Sequence, residues 1–439
     1  MSGINLVNTL WMMIASILVF FMVCGLALFY AGLVAAKNAV NTMKMSFFAM
    51  AVLIFIWVLV GYSLSFSHSN SYIGNFNYIF FEGLFNHIHS GSDIPDVVFA
   101  VFQMMFFVIA AALISGAVVE RMRFKAFICF TVLWAIIFYT TTVHWVWSEN
   151  GWLLKLGVID FAGGFAIHIG AGFSALILAI VLKPRTKVKE TKAHNIPFVI
   201  LGACILWFGY YGFNAGSALG VNKIAFVAFI NTATAPSIAI LTWVILDFIR
   251  SEPSSAINVA IAAVIGLVSI TPSAGFVGLD AACLISLITT ITCYFAFYYL
   301  NRAKVKIDDS LDVFVCHGLS GFSGIILTGV FASSALNPSI KNGLIYGGFD
   351  LFFKQLLAAI LIAVFAMIVT FLITLLLRLF ISLRVSKDEE DIGLDLIEHG
   401  ESAYENLNHM DLFKRQLYNS LKNKKKQYQH HLFLLKKRK

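Results

Sequence analysis

Charge is what this chain has least of. Only 12% of its 439 residues are Asp, Glu, Lys or Arg, against roughly 25% in soluble domains, which excludes an ordinary water-exposed surface. Cysteine is sparse too. The six (Cys24, Cys129, Cys204, Cys283, Cys293, Cys316) all lie in apolar segments, with no spacing that suggests a disulfide frame or zinc site, and small buried hydrophobes account for them. No phosphate loop, no nucleophile with an adjacent base and no metal-ligand cluster stands out, which argues against an enzyme and against a bound cofactor or metal. Met1 to Thr9 carries no basic leader, and the apolar run after it is as long as a full span, so it reads as the first helix and not as a cleaved signal.

What fills the chain instead is hydrocarbon. Hydrophobic residues make up 59% and the mean hydropathy is +0.85, values that define an all-α integral membrane protein. One crossing needs about 20 apolar residues, and eleven such windows follow one another. They run Leu10 to Val34, Met45 to Phe66, Val97 to Val119, Ala126 to Val143, Phe161 to Leu182, Ile196 to Ser217, Ile224 to Ile249, Ala256 to Ile270, Ala281 to Leu300, Val313 to Phe331 and Leu356 to Phe380. The seventh, with Asn231, Thr232, Thr234 and Pro236, and the short eighth carry the weakest signals. Basic residues collect on the cytoplasmic side of a membrane, and alternate joints hold 16 of them, from Lys37 to Arg384, while the others hold only Lys155, Lys223, Lys341 and Lys354. The expectation is an outside N-terminus and a cytoplasmic C-terminus, in the plasma (inner) membrane. Residues 1–385 form the membrane domain and 386–439 a cytoplasmic tail.

Two ionisable residues stand in glycine-studded spans, His168 and His317. At that depth an unpaired ionisable side chain costs several kcal/mol, so a transport pathway is the first hypothesis. They lie in the fifth and tenth spans, each five to eight residues past an aspartate, Asp160 and Asp312. That placement suggests an inverted five-plus-five repeat, with an extra C-terminal helix, that brings both imidazoles to one central axis. Chance similarity of two glycine-rich helices is the competing explanation.

These residues carry a resemblance. The run Asp160-Phe-Ala-Gly-Gly-Phe-Ala-Ile-His168-Ile-Gly-Ala-Gly, continuing to Lys183-Pro184-Arg185, resembles the signature of the ammonium transporter family (the Amt, Mep and Rh proteins). Further blocks are similar to that family: Gly25-Leu-Ala-Leu-Phe-Tyr30, Trp207-Phe-Gly-Tyr-Tyr-Gly-Phe213-Asn-Ala-Gly-Ser217, Val315-Cys-His317-Gly, and Gly393 to Tyr404 after the last span. Together they cover residues 10 to about 405. Departures are Cys24 where the family usually has proline, the doublet Phe106-Phe107 at the third-span gate, and a long basic tail.

The resemblance implies recruitment of ammonium at an outer mouth by Phe102, Trp147 and Ser217, a phenyl gate of Phe106 and Phe213 with Phe107 as the other candidate, and a pore lined by His168 and His317 that binds ammonia and relays a proton. Methylammonium would serve as an analogue. It also implies homotrimers with one pore per subunit, and in some relatives a cytoplasmic partner of the PII signalling type. From the residues alone, Trp147 also fits an interfacial aromatic belt. The histidines also fit a pair satisfied by backbone carbonyls, or an axial pair on haem or metal. Asp160 reads as an N-cap supporting the mouth. Asp309 and Asp312 read either as inner-exit groups or as solvated loop charges.

The chemistry favours deprotonation. A bare cation of ammonium size faces an idealised cost of order 20 kcal/mol on entering a medium of low dielectric, whereas ammonia avoids most of it. Potassium, with no proton to give up, is rejected by such a passage. Two rivals remain, an ammonium sensor with little flux and an Rh-like electroneutral gas channel. From Phe413 to Lys439 the tail holds ten Lys and Arg and no acid, which suits either disorder or anionic lipid in the bilayer surface, with nucleic acid disfavoured for a membrane-tied segment.

Overall fold

In the computed structural model, which describes residues 3–187, 192–302 and 307–404, eleven helices are long and apolar enough to cross a membrane. They are α1 (Leu6–Leu33), α2 (Ala36–Phe66), α3 (Asp96–Ala117), α4 (Phe124–Leu156), α5 (Gly164–Leu182), α6 (Ile196–Ala215), α7 (Lys223–Ile249), α8 (Ala256–Ser273), α9 (Leu279–Leu300), α10 (Phe314–Phe331) and α11 (Phe349–Arg378). A short helix, α12 (Lys387–Ile392), follows with a Ser386/Glu389 capping box. Lys189, Lys304, Lys306 and the polybasic 413–439 lie outside the described residues, as does the side chain of Arg302.

The span count agrees with the hydropathy reading, and the differences are at the ends. Helix α2 begins at Ala36, not Met45, because Asn38, Asn41 and Thr42 are buried in it despite their polarity. Helix α11 begins at Phe349, its first turn carrying Asp350, which pairs with Lys354 at 2.7 Å. Span α4 includes an extended break at Ser148 before a last short helical piece. The two weak spans are both helical. Pro236 sits inside α7, and Ser286 Oγ donates to the carbonyl of Ala235 at 2.5 Å.

Spans α1–α5 and α6–α10 behave as two halves. The first helices of the halves, α1 and α6, cross at small residues: a side chain at Gly25 or Gly202 would strike the partner helix. The fifth helices, α5 and α10, cross in the same manner at Gly172 and Gly318. First against first and fifth against fifth is a two-fold arrangement, and an odd number of spans per half makes it an inverted one. Small residues at such crossings let backbones approach where lipid supplies no hydrophobic drive. Large apolar side chains on the outer faces stay exposed, among them Phe47, Phe226, Phe248 and Phe371, a belt that requires hydrocarbon around it. We call the side bearing Leu6 the N-face and the side bearing α12 the C-face.

Candidate functional site

His168 and His317 both lie on widened turns. Gly164–Ile169 at the start of α5 and Phe314–Leu319 at the start of α10 are π-helical, a geometry common at functional positions. Each is anchored by an aspartate eight positions before its histidine. Asp160 accepts from the backbone N–H of Gly163, Gly164 and Phe165 at 2.9, 2.8 and 2.9 Å. The φ of +121° at Gly163 is what lets the chain fold back around the carboxylate. Asp309 accepts from Phe314 N at 2.6 Å. The counterpart of Asp160 is therefore Asp309, not the Asp312 expected from sequence. Burial raises both carboxyls to about 6, and the backbone donors pull the other way.

The caps point the imidazoles at each other. His168 and His317 are 1% and 4% exposed, their rings lie 5.4 Å apart at 17°, and Nδ1 meets Nδ1 at 3.3 Å. One of the two must donate, so the pair holds one Nδ1–H tautomer and one Nε2–H tautomer. The Nε2 of His168 has no hydrogen-bond partner.

Aromatic rings continue the line toward the N-face. The His168 ring is near parallel to Phe213 at 6.2 Å, Phe213 meets Phe106 at 4.4 Å, and Phe106 meets Trp147 at 6.1 Å. Phe213 stands on a third π-turn, Tyr211–Ala215. Phe107 points elsewhere, packing on Trp57 and Tyr139 at 5.0 and 5.3 Å. Above Phe106 a cavity of about 760 Å³ opens at the N-face, lined by Gln103, Phe106, Trp147, Asp160, Phe161 and Ser217 among others. Trp147 Nε1 donates to the Asp160 carbonyl at 2.9 Å, and Ser217 Oγ to the Phe213 carbonyl at 2.9 Å. Phe102 is fully buried, its ring edge-on to Phe106 at 4.7 Å; it backs the Phe106 ring and does not line the cavity. Sequence reasoning missed Gln103, Phe161 and the His89–Asp96 pair (3.0 Å) at the rim, because single polar or aromatic residues among 42 Phe carry no spacing signal.

At the C-face, charges close the other end. Arg185 bridges Glu120 and Asp308 at 2.5 and 2.8 Å, and Arg121 reaches the Asp308 carbonyl at 2.5 Å and the Ser310 hydroxyl. Burial draws Arg121 down to about 10 against the pull of Asp308. The segment after α12 docks on this layer. Asp395 accepts from Val40 N and Asn41 N at 3.1 and 2.7 Å, and Arg123 holds Glu389 and Glu398 at 2.7 and 3.2 Å. Among the described residues no group of three His, Cys, Asp or Glu is placed to hold a metal ion.

Eleven candidate spans around a buried column of aromatic and imidazole rings make this an integral membrane protein. Comparison with known proteins gives the family. Residues 10–404 match the Ammonium Transporter Family. The ammonium transporter of Bacillus subtilis (strain 168) is 42% identical over 399 residues, 91% of this chain and 98% of that one. The crystal structure of Saccharomyces cerevisiae Mep2 superposes with a TM-score of 0.82 at 33% identity, covering 88% of this chain and 91% of that chain. A structure described as a sensor Amt protein gives 0.83 at 29% identity, over 90% and 98%. The chain belongs to the ammonium transporter family.

Proposed function

We propose that this transporter gathers ammonium at the N-face, removes a proton, and passes ammonia along His168 and His317 to the C-face. The observation that carries this reading is the direct 3.3 Å contact of the two Nδ1 atoms beneath closed aromatic rings. With those atoms engaged, the pair offers one acceptor Nε2 and one donor Nε2, the two functions needed to bind ammonia and hand on a proton. Trp147 and Ser217 receive the cation, a ring face supplying roughly 0.5–2 kcal/mol. Phe102 supports them through Phe106, and Phe106 with Phe213 forms the gate. Asp160 holds the mouth. The N-face is outside and the C-face cytoplasmic, in the plasma membrane, with residues 386–439 as the cytoplasmic tail. We further infer a homotrimer with one pathway per subunit and, on the C-face, access for a PII-type signalling protein; cross-linking and co-purification read out both.

His168→Leu and His317→Leu, reconstituted in solid-supported membranes, test the reading. Loss of ammonium-specific current in both, with assembly intact, is expected; selective ammonium current surviving in both single variants refutes the relay. Uptake without any current in the unaltered protein would instead favour an electroneutral gas channel, and binding without uptake a sensor.

A further inference from the structure

Away from the pathway, α1 and α2 enclose a groove of about 620 Å³ that no transport step uses. Its walls are apolar, with Cys24 and Leu28 from α1 facing Met43, Phe47 and Met50 from α2. The α2 wall from Val40 to Met50 is about 15 Å long at 1.5 Å per residue, which equals the hydrocarbon depth of one leaflet, half of about 30 Å. Phe47 is 66% exposed, so the groove opens sideways toward lipid. Two opposite charges also line it, Lys44 and Glu401. The Lys44 ammonium stands over the Phe124 ring, 6.0 Å from its centroid, at the level where α4 begins on the C-face. Neither Lys44 nor Glu401 is in an ion pair among the described residues, with each other or with anything else.

A groove of one leaflet's depth, with an unpaired cation and an unpaired anion on its lining, matches a molecule that carries an acyl chain and both charges. We propose that this groove binds a zwitterionic aminophospholipid of the C-face leaflet: its chain lies between α1 and α2, its phosphate meets Lys44, and its amine meets Glu401. An anionic lipid without an amine satisfies Lys44 but leaves Glu401 opposed by the phosphate, so the pair selects for the zwitterion. Glu401 follows Gly400 in the segment that Asp395 docks onto α2. The lipid therefore joins that docked segment to the bilayer.

Native mass spectrometry of the delipidated full chain, titrated with phosphatidylethanolamine or phosphatidylglycerol, tests the site. The unaltered protein should retain phosphatidylethanolamine in preference, and Lys44→Gln or Glu401→Gln should each cut that retention by up to about fivefold, the upper range for an exposed charge pair. Ala27→Phe, which fills the groove without touching either charge, should remove the same bound lipid. Equal retention of both lipids by the unaltered protein, or unchanged retention in all three variants, overturns the proposal. So does disulfide cross-linking of a Phe47→Cys variant to a neighbouring subunit in the membrane, which would show protein in place of lipid there.

Discussion

Gly172→Ala tests the imidazole contact while leaving both histidines in place. Gly172 lies one turn beyond His168 on α5, at the crossing with α10. A methyl group there would overlap Gly318 N and Cα and stand 3.0 Å from the carbonyl carbon of His317. These are backbone atoms, so no side-chain rotation relieves the overlap. Non-bonded carbons rest at about 3.5–4.0 Å, so α10 must retreat by on the order of 1 Å. The Nδ1–Nδ1 separation is already 3.3 Å, and that retreat takes it beyond hydrogen-bonding reach. Misplacement of reacting groups by about 1 Å can lower a rate about 10²-fold.

Gly318→Ala is the internal control. Its methyl would meet Phe314 Cδ2 at 3.0 Å and Gly172 C and Cα at 3.1 and 3.2 Å, a conflict that shifts of a few tenths of an ångström relieve. Its loss should stay within about tenfold. Methylammonium uptake in vesicles, normalised to assembled protein, measures both. Overpacking costs about 1–3 kcal/mol, so thermal stability is recorded alongside. A Gly172→Ala protein that transports at the original rate, or a Gly318→Ala protein that is the worse of the two, would refute the reasoning.

Two further outcomes follow from the geometry. Phe106→Ala should change ammonium-over-potassium selectivity, whereas Phe107→Ala should lower stability by about 3–5 kcal/mol with selectivity per folded molecule unchanged; currents and melting curves on the same preparations separate the two, and a reversed pattern would place the gate at Phe107. With its carboxyl raised to about 6 by burial, Asp160 gains a proton as pH falls through that value and loses its anionic hold on Gly163, Gly164 and Phe165, so transport should decline on the acid side of about 6. Asp160→Asn should lose activity and flatten that limb of the pH profile; an unchanged acid limb in the variant assigns the decline to another group.

Much of this arrangement was legible in the residues, for identifiable reasons. Span number follows from hydropathy alone, because a helix is one of the few ways a backbone can satisfy itself in lipid. His168 and His317 stand out because ionisable groups are costly there. The first turns of α2 were not legible. Asn38, Asn41 and Thr42 look like a polar joint, yet Asn38 donates to Glu120 at 3.0 Å and accepts from Leu394 N at 2.8 Å. The partners of Asn38 lie some 80 and 350 residues away in sequence, and no local pattern announces them. The Asp309 cap was hidden by the nearer Asp312, and the hydrogen bond from Phe314 N identifies it. Composition could not choose between Phe106 and Phe107, since both are buried; the structure packs Phe106 on Phe213 and turns Phe107 toward Trp57 and Tyr139.

The two halves of the chain solve one electrostatic problem twice. A helix N-terminus carries roughly half a positive charge. The chain directs such an end toward the histidine pair from each face, α5 from the N-face and α10 from the C-face. In the mechanism we propose, both ends left bare would repel a cation at the two places where one enters or re-forms. Asp160 and Asp309 place a carboxylate on each end, eight residues before the histidine in both cases. The π-turns that follow give each helix one extra residue in its first turn, which rotates everything after it by about 100°. An ordinary α-turn would aim the side chains at 168 and 317 differently. The cap neutralises the mouth and the widened turn aims the imidazole, so each carboxylate, turn and ring works as one unit. Changing the spacing within either unit should uncouple the charge at the mouth from the contact at the centre.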